Sequence, residues 1–429
     1  MREIVSPANA IHGMVTPPGD KSISHRYGML ASIAEGVSTI ANYSTGADCQ
    51  STLNCMAALG ARIERDAENR VVIHGGALRE SPVRLDAGNS GSTIRLLSGI
   101  LAAQPFTTSI GGDESLSRRP MARIIKPLRE MGACIMGSHG DDTRDGTYPP
   151  LTIQGRQLQG IDYSLPMASA QVKSCVLLAG VFAQGDTIIR EPVRTRDHTE
   201  IALREFGADI TAARRVITLH AGARLTGREL FVPGDLSSAC FFMVAALLMN
   251  DADLVIHGVG LNPTRSALLD FLVSIGASIK VLDVRQTAGE LIGDLRVRAS
   301  RLHRGSIDGA LTAALIDEIP ALAVLGAATG GLTVRDASEL RVKETDRIAT
   351  LAANFKRMGV AIETTADGFH VAGGQKFHAA ELDSSGDHRI AMAFAVAALA
   401  ADGPCSIEGA ESAGVSYPEF FATLREIAK

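Results

Sequence analysis

The sequence predicts an α/β protein with two similar domains, each containing three copies of one unit in which strands and helices alternate. Three observations predict this organisation. A glycine-centred motif recurs along the chain, a motif of small polar residues recurs with it and runs into an apolar helix, and a PGD segment occurs twice. The length of 429 residues, with 46% hydrophobic and 21% charged residues, is typical of a globular protein of two or three domains.

The first motif predicts a helix that ends at a glycine and is followed by a short strand. Its five copies read LGARI, MGACI, FGADI, IGASI and MGVAI, with the glycines at Gly60, Gly132, Gly207, Gly276 and Gly359. An amphipathic segment precedes each copy, and a glycine in this place favours the left-handed conformation that terminates a helix. The copies lie roughly 70–80 residues apart, as expected of an internal repeat.

The second motif predicts the buried helices of the same units. It begins with small polar residues and continues as a helix that is apolar on nearly every side, which favours burial. The six copies are PGDKSISHRYGMLASIA, AGNSGSTIRLLSGILAA, PMASAQVKSCVLLAGVFA, PGDLSSACFFMVAALLM, LIDEIPALAVLGAA and SSGDHRIAMAFAVAALAA. Six units in two groups of three account for the predicted pair of domains.

The two PGD segments, at Pro18 and Pro233, mark the predicted domain boundaries. We expect the first three-repeat domain to span residues 18–232. The second comprises residues 1–17 and 233–429, so that the N-terminal strand joins the second half. The chain then crosses between domains near residues 17–20 and 231–235, and these two crossovers form a hinge.

Composition disfavours several classes of protein. The net charge of −5 lacks the basic balance typical of nucleic-acid binders. Apolar runs such as FFMVAALLM are shorter than a membrane span, and the N-terminus shows no signal-peptide pattern. The six cysteines show no CxxC spacing and no nearby histidine set, so we expect free thiols and no metal site. These features predict a cytoplasmic protein without nucleic-acid or membrane partners.

Basic residues recur at the starts of the predicted helices, where the helix dipole disfavours a cation by about 0.3–1 kcal/mol. A solvated surface position explains any one of them. The same placement in most units instead favours a small ligand with several negative charges, because helix N-termini and arginines both bind phosphate and carboxylate. We expect these residues to line a cleft that closes around the ligand: Lys21, Arg26, Arg95, Arg118, Arg119, Arg196, Lys343, Arg347 and Arg389.

The glycine-rich segment AGNSGST predicts close approach of the backbone to this anion. Gly91 lacks a Cβ, so the amides around it can reach a bound phosphate or carboxylate. The chain contains no GxxxxGK[ST] pattern, and a nucleotide is therefore not predicted.

Two carboxylates near the predicted cations are candidates for proton transfer. Asp317 lies in LIDEIP at the start of an apolar helix, where it is either a helix cap or a base. Glu344 lies between Lys343 and Arg347 in RVKETDR, where it forms either an ordinary i,i+3 ion pair or a proton-transfer group. His25 is interpreted as a structural residue.

At these residues the sequence resembles the 5-enolpyruvylshikimate-3-phosphate synthases of the enolpyruvyl transferase family. The resemblance extends along nearly the whole chain, through PGDKSISHR, GNSGSTIR, RRP, SAQVKS, RTRDHTE, LIDEIP, RVKETDR and GDHRIAM. It implies two domains of three βαβαββ repeats each, in the inside-out α/β barrel arrangement with parallel buried helices. It also implies transfer of the enolpyruvyl group of phosphoenolpyruvate to the 5-hydroxyl of shikimate 3-phosphate, with release of phosphate and without a cofactor.

The resemblance implies a role for each matched residue. Asp317 is expected to act as base toward the 5-hydroxyl, and Glu344, helped by Lys21, to transfer the proton at C3. The residues expected to bind shikimate 3-phosphate are Lys21, Ser22, Arg26, Ser169, Gln171, Arg196, Asp317 and Lys343. Those expected to bind phosphoenolpyruvate are Lys21, Gly91, Arg119, Gln171, Arg347 and Arg389.

Three rival interpretations share part of this pattern. UDP-N-acetylglucosamine enolpyruvyl transferases have the same fold and donor, but they typically carry a cysteine in the loop that here reads GGDESLSRRP. RNA 3′-end cyclases are built from related repeats, and the acidic net charge disfavours that class. A non-catalytic anion-binding module remains the third alternative. We expect the chain to act as a monomer.

Overall fold

The computed structural model describes residues 1–140 and 143–429, and at residues 139, 140 and 143–146 it describes the backbone alone. The chain forms two compact units. The first unit contains Gly19–Val232 with Thr287–Gly289, and the second contains Met1–Pro18, Pro233–Gln286 and Glu290–Lys429. The turn 287–289 thus lies inside the range that the sequence predicted for the second domain. Each unit has a hydrophobic core of its own.

Fourteen α-helices occur in the described residues. They are α1 Lys21–Ile33, α2 Ala47–Ala58, α3 Gly91–Leu101, α4 Glu114–Ser117, α5 Ala122–Glu130, α6 Ala170–Gly180, α7 His198–Glu205, α8 Leu236–Leu248, α9 Ala267–Ser274, α10 Gly309–Leu315, α11 Ile319–Ala328, α12 Arg347–Arg357, α13 His388–Leu399 and α14 Phe420–Ile427. Two 3₁₀ segments, Ser338–Val342 and Ala410–Val415, accompany them in the second unit.

The strands of the first unit form three four-stranded sheets, ordered β14-β3-β5-β4, β6-β7-β9-β8 and β10-β11-β13-β12. Their bounds are β3 Gly36–Ala41, β4 Arg62–Arg65, β5 Val71–Gly75, β6 Leu85–Asp86, β7 Thr107–Gly111, β8 Cys134–Gly140, β9 Thr143–Gln154, β10 Asp162–Ser164, β11 Thr187–Arg190, β12 Ile210–Ala213, β13 Val216–Leu219 and β14 Glu229–Phe231.

The other strands form the sheets β16-β17-β15-β2, β18-β19-β21-β20 and β1-β23-β22. Their bounds are β1 Arg2–Val5, β2 Ala10–Val15, β15 Asp251–Gly260, β16 Ser278–Thr287, β17 Glu290–Arg298, β18 Gly305–Ile307, β19 Leu332–Val334, β20 Ile362–Thr365, β21 Gly368–Val371, β22 Glu381–Asp383 and β23 Cys405–Glu408.

One repeat accounts for each sheet. In the third sheet β10 pairs parallel with β11 through the intervening helix α6, and a hairpin of β12 and β13 then adds antiparallel to β11. This is the βαβαββ order that the sequence resemblance implies.

Three repeats depart from this order because the chain enters and leaves the first unit. The fourth repeat takes its opening strand from β2, which precedes the first unit and pairs parallel with β15. The first repeat takes its opening strand from β14, which pairs parallel with β3 from almost 190 residues further along the chain. The last repeat has three strands, and its third is the N-terminal strand β1, which pairs antiparallel with β23. The N-terminal strand β1 thus pairs with a strand of the second unit.

The predicted helix-terminating glycines are confirmed. Each follows directly after the C-cap residue of α2, α5, α7, α9 or α12. The φ angles lie between 75° and 103°, the left-handed region that favours glycine. They belong to Gly60, Gly132, Gly207, Gly276 and Gly359.

The six helices of the second motif form the interior of the two units. α8 has twelve buried residues of thirteen, and all twelve residues of α13 are buried. The strands instead alternate buried and half-buried positions, as in β13 and β15. The helices therefore lie inside the sheets, which is the inside-out arrangement.

No single helix in the described residues is long and apolar enough to span a membrane. Helices α10 and α11 together reach the required length and apolar composition, but they are bent by 108° at the break between them. In the second unit Ile319–Ala327 of α11 are all buried.

Helices α3 and α6 approach closely because Gly99 has no side chain. A Cβ at Gly99 would lie 2.2 Å from Cys175 O on α6. Such a contact forces the two helices apart, because the obstacle is backbone rather than a flexible side chain.

We predict that Gly99→Ala lowers the free energy of unfolding by about 1–3 kcal/mol, despite the higher helix propensity of alanine. The matched control is Gly414→Ala, where a Cβ meets no atom within 4 Å. Urea denaturation of both variants provides the measurement. Equal midpoints for the two variants would contradict this account of helix packing.

Candidate active site

Lys21 opens helix α1, and its ammonium group contacts a carboxylate on α2. Asp20 caps α1 by accepting a hydrogen bond from Ile23 N at 2.9 Å. Lys21 Nζ lies 3.0 Å from Asp48 Oδ2, and 18% of the Lys21 side chain is exposed. This contact explains how a cation is kept at the positive end of the helix, and sequence reasoning did not single out Asp48.

Arg26 lies one turn further along α1, with its guanidinium buried inside the first unit. Its Nε donates to Thr199 Oγ1 at 2.6 Å, its Nη1 to Ser22 O at 2.7 Å and its Nη2 to Ser174 Oγ at 2.7 Å. These three bonds hold the guanidinium in place.

Gly91 opens helix α3, and space rather than backbone conformation explains the glycine. Ser90 caps the helix by accepting a hydrogen bond from Thr93 N at 3.0 Å. Gly91 is not among the glycines with positive φ. A Cβ at Gly91 would lie 2.9 Å from Arg95 Nη1 and 3.6 Å from Arg119 Nη1, so the glycine leaves room beside two cations.

A glutamine bridge connects the starts of α3 and α6. Arg95 Nη1 donates to Gln171 Oε1 at 2.8 Å, and Gln171 Nε2 donates to Ser92 Oγ at 3.1 Å. The structure therefore brings Gln171 next to the Gly91 segment. The partner that does so, Arg95, was noted in the sequence only as one of several cations.

Arg119 completes the group at the start of α3. It is buried, with 8% of its surface exposed. Its Nη2 donates to Asn89 Oδ1 at 2.7 Å and to Ser115 Oγ at 3.0 Å. Gly91, Arg119 and Gln171, all predicted to bind phosphoenolpyruvate, thus lie together in the first unit.

The other predicted residues of the first unit lie at helix starts. Ser22 is half-buried in the first turn of α1. Ser169 caps α6, where its Oγ accepts from Val172 N at 3.4 Å. Arg196 is half-buried and directly precedes Asp197, the N-cap residue of α7.

In the second unit, Asp317 lies at the break between α10 and α11. The alternative of a helix cap is wrong, because Glu318 is the N-cap residue of α11. Asp317 Oδ1 instead lies 3.6 Å from Lys343 Nζ and 3.7 Å from Arg347 Nη1. The carboxylate of Asp317 thus lies between two cations.

Arg347 is the centre of the second-unit group, with 1% of its side chain exposed. Its Nη2 donates to Glu344 Oε2 at 2.7 Å, which is the predicted i,i+3 ion pair, and its Nε donates to Asp387 Oδ2 at 2.7 Å. Burial opposes the positive charge, but the carboxylates of Asp387, Glu344 and Asp317 outweigh burial and raise the pKa of Arg347 above its usual value.

Arg389 is a buried cation in the first turn of α13 with unused hydrogen-bond donors. It is 5% exposed. Its Nε and Nη1 are buried and have no hydrogen-bond partner, and no carboxylate among the described residues pairs with it. Its guanidinium carbon lies 6.0 Å from the centre of the Phe241 ring. Buried donors of this kind are costly unless a ligand accepts from them.

The structure thus connects all five predicted second-unit residues. Asp317, Lys343, Glu344 and Arg347 form one ion-pair group, and Asp387 joins Arg389 to it because it accepts from both Arg347 Nε and Arg389 N. Sequence reasoning missed Asp387, although its place before the apolar helix in GDHRIAM is typical of a cap.

His25 is buried beside the first-unit group, as interpreted from the sequence. Its Nδ1 lies 2.6 Å from Thr52 Oγ1. Burial, and then the charges of Lys21 and Arg26, lower the pKa of His25 well below its usual value. The ring is therefore neutral. Across residues 1–140 and 143–429 no group of three His, Cys, Asp or Glu side chains is placed to hold a metal ion.

Comparison with known proteins identifies the family of the chain. The family model of EPSP synthase (3-phosphoshikimate 1-carboxyvinyltransferase) matches residues 5–424. The chain belongs to the EPSP synthase family. The resemblance inferred from the motifs is therefore confirmed.

Relatives with the same description cover the whole chain. The 3-phosphoshikimate 1-carboxyvinyltransferase of Solibacter usitatus is 62% identical over 433 residues, covering 100% of both chains. That of Koribacter versatilis is 52% identical and covers 99% of each chain. A solved EPSP synthase structure from Acinetobacter baumannii is 42% identical with a TM-score of 0.87, covering 100% of this chain and 98% of that one. This likeness confirms the predicted fold class.

We predict opposite effects on stability for two neighbouring arginines of the second unit. Arg389→Met should raise the free energy of unfolding of the ligand-free protein by about 1–3 kcal/mol, because it removes a buried charge with unused donors. Arg347→Met should lower it by about 3–5 kcal/mol, because it leaves buried carboxylates uncompensated.

Urea denaturation without ligand measures both changes. A loss of stability in Arg389→Met as large as in Arg347→Met would show that Arg389 is satisfied within the protein and is not held ready for a ligand.

Proposed function

We propose that this chain transfers the enolpyruvyl group of phosphoenolpyruvate to the 5-hydroxyl of shikimate 3-phosphate and releases phosphate. This is the reaction of the EPSP synthase family, which serves the shikimate pathway of aromatic amino acid biosynthesis. Phosphate and carboxylate groups are carried by both substrates. The single observation that carries the proposal is Arg389, whose buried Nε and Nη1 donate to no acceptor within the described residues.

The phosphoenolpyruvate residues are proposed in both units. In the first unit, Arg119 and the Gly91 amide offer donors beside Gln171, with Lys21 reaching the same ligand. In the second unit, Arg347 Nη1 and the guanidinium of Arg389 have buried donors that form no hydrogen bond. Charge-assisted bonds of this kind are worth about 1.5–3 kcal/mol each.

The shikimate 3-phosphate residues are proposed on the same basis. Those of the first unit lie at the starts of α1, α6 and α7, where backbone amides and cations both favour a phosphate. Lys343 and Asp317 of the second unit suit the hydroxyl groups of the ring. The proposed set is Lys21, Ser22, Arg26, Ser169, Gln171, Arg196, Asp317 and Lys343.

In the first half of the proposed reaction, the 5-hydroxyl oxygen bonds to C2 of phosphoenolpyruvate. Asp317 accepts the hydroxyl proton, and the C2–C3 double bond takes a proton at C3, so that C3 becomes a methyl group. Asp317 suits this role because Lys343 and Arg347 hold its carboxylate between them.

In the second half, C3 loses a proton and the C2–O bond to phosphate breaks, which restores the double bond. Glu344 is proposed to handle the C3 proton in both halves, with Lys21. Its Oε2 accepts a hydrogen bond from Arg347 Nη2 at 2.7 Å, which holds the carboxylate in place. The cations around the departing phosphate stabilise its growing charge.

The alternative acceptor, UDP-N-acetylglucosamine, is not favoured, because the family model and the relatives described above name EPSP synthase. A phosphate-release assay with phosphoenolpyruvate separates the candidates. We expect release with shikimate 3-phosphate and none with UDP-N-acetylglucosamine. Release with neither acceptor would overturn the proposal, and release only with the nucleotide sugar would replace it.

Three further expectations belong to the proposal. The two compact units are taken as the two predicted domains, the enzyme is proposed to act as a monomer, and its location is proposed to be the cytoplasm. Light scattering on the purified chain measures its molar mass in solution and therefore its oligomeric state.

Asp317→Ala should lower kcat by about 10²–10⁴-fold, the range for loss of a general base. Because Asp317 is not the helix cap and its ion pairs are partly exposed, the fold should survive at a cost of about 1 kcal/mol or less. Steady-state kinetics test this against Glu339→Ala, whose carboxylate lies 4.0 Å from the same Lys343 Nζ. Turnover close to that of the control would remove Asp317 from the mechanism.

Gly91→Ala should discriminate between phosphoenolpyruvate and glyphosate, the longer inhibitor that family resemblance places in the same space. The added methyl group lies 2.9 Å from Arg95 Nη1, so the guanidinium must shift, and the methyl group takes up space that the longer ligand is proposed to need. The inhibitor constant should therefore rise much more than the phosphoenolpyruvate KM, although both rise. Titrations at fixed shikimate 3-phosphate measure the two constants, and an equal rise in both would refute the placement of the loop.

A further inference from the structure

A lysine in the interior of the first unit forms two ion pairs away from the helix starts. Lys173 lies in the first half of α6 and its side chain is 0% exposed. Its Nζ is 3.1 Å from Glu191 Oε1 and 2.7 Å from Glu200 Oε1, and both carboxylates are almost completely buried. Charged side chains are seldom buried to this degree unless they are paired with groups of opposite charge.

The two glutamates lie at opposite ends of one connecting segment. Glu191 directly follows β11, and Glu200 lies in the first turn of α7. The segment between them, residues 192–199, contains Arg196 at its middle. Lys173 therefore attaches both ends of the segment to α6.

Glu191 also holds the backbone next to Arg196. Its Oε1 accepts a hydrogen bond from Thr195 N at 3.2 Å, and Thr195 Oγ1 donates to the same oxygen. The residue before Arg196 is therefore bound to a carboxylate that Lys173 holds in turn.

The far end of the segment has a second attachment, to the helix residue beside Lys173. Thr199 Oγ1 lies 2.6 Å from Ser174 Oγ and accepts from Arg26 Nε at 2.6 Å. Burial raises the pKa of Glu200, and Lys173 partly counteracts that effect. The ammonium group thus favours the charged form of a carboxylate that would otherwise resist burial.

We propose that Lys173, through Glu191 and Glu200, is a positioning residue that orients Arg196 for binding shikimate 3-phosphate. Lys173 itself is enclosed, so it contacts no substrate. This inference rests on the proposed function, and specifically on Arg196 as a ligand of shikimate 3-phosphate.

A double-mutant cycle on the full-length chain tests the proposal. The dissociation constant of shikimate 3-phosphate is measured by calorimetry for wild type, Lys173→Met, Arg196→Ala and the double variant, well below each melting temperature. We expect each single variant to raise the constant about tenfold, and the double variant to be no weaker than Arg196→Ala. For Lys173→Met at saturating shikimate 3-phosphate, kcat and the phosphoenolpyruvate KM should stay within about twofold of wild type.

Arg190→Met is the matched control. Arg190 precedes Glu191 on β11 and forms an exposed ion pair with Asp162, with Nη2 to Oδ2 at 2.7 Å. Its loss should leave the dissociation constant unchanged. If Lys173→Met is not recovered folded, Glu191→Gln provides the same cycle with a smaller change.

Three results would overturn the inference. Lys173→Met with a lower melting temperature but an unchanged dissociation constant would show a purely structural role. Losses that add in the double variant would show that Lys173 does not act through Arg196, and normal binding by Arg196→Ala would remove the residue that Lys173 is proposed to orient. Binding and turnover of the wild-type chain are also measured. If the wild type neither binds shikimate 3-phosphate nor turns it over, the proposed function itself has failed.

Discussion

The structure depends on keeping positive charge at the positive ends of buried helices. Lys21, Gly91 with its neighbouring arginines, and Arg389 all lie in or beside the first turn of such a helix, where the dipole and burial both disfavour a cation. The protein meets this cost with local hydrogen bonds and carboxylates. At Arg389 the donors are left unused, which is the arrangement expected of a site that binds anions.

The two units meet the same constraint in different ways. In the second unit, three cations are connected to four carboxylates in one group. In the first unit, hydroxyl and side-chain amide oxygens accept hydrogen bonds from Arg26, Arg95 and Arg119. Under the proposed function, the carboxylates of the second unit are the groups that transfer protons.

The two copies of the PGD motif begin helices whose first turns have different partners. Asp20 and Asp235 both cap their helices through a side-chain hydrogen bond. Lys21 follows the first, whereas Leu236 follows the second. At the start of α8, Ser237 contacts the guanidinium of Arg265 and the carboxylate of Glu318. That helix end is already satisfied internally.

Local patterns in the sequence were sufficient to predict the repeating unit. A glycine that must adopt positive φ and an all-apolar helix are properties of a few adjacent residues, so Gly60 and the α13 segment could be recognised without a structure. The closure of the first repeat by β14 could not, because strand pairing over such a distance leaves no local signal. The same holds for the site: charged motifs pointed to Arg347 and Arg389, but their shared partner Asp387 and the buried Lys173 group depend on contacts between distant segments.

The central claim is that the helix-end cations destabilise the free protein and are compensated by anionic substrate. The most direct test is the free energy of unfolding of the wild-type chain, measured by urea denaturation over a range of shikimate 3-phosphate concentrations. The account predicts a rise of about 1.4 kcal/mol for each tenfold increase in ligand above its dissociation constant. A free energy of unfolding that stays constant across the whole range would contradict it.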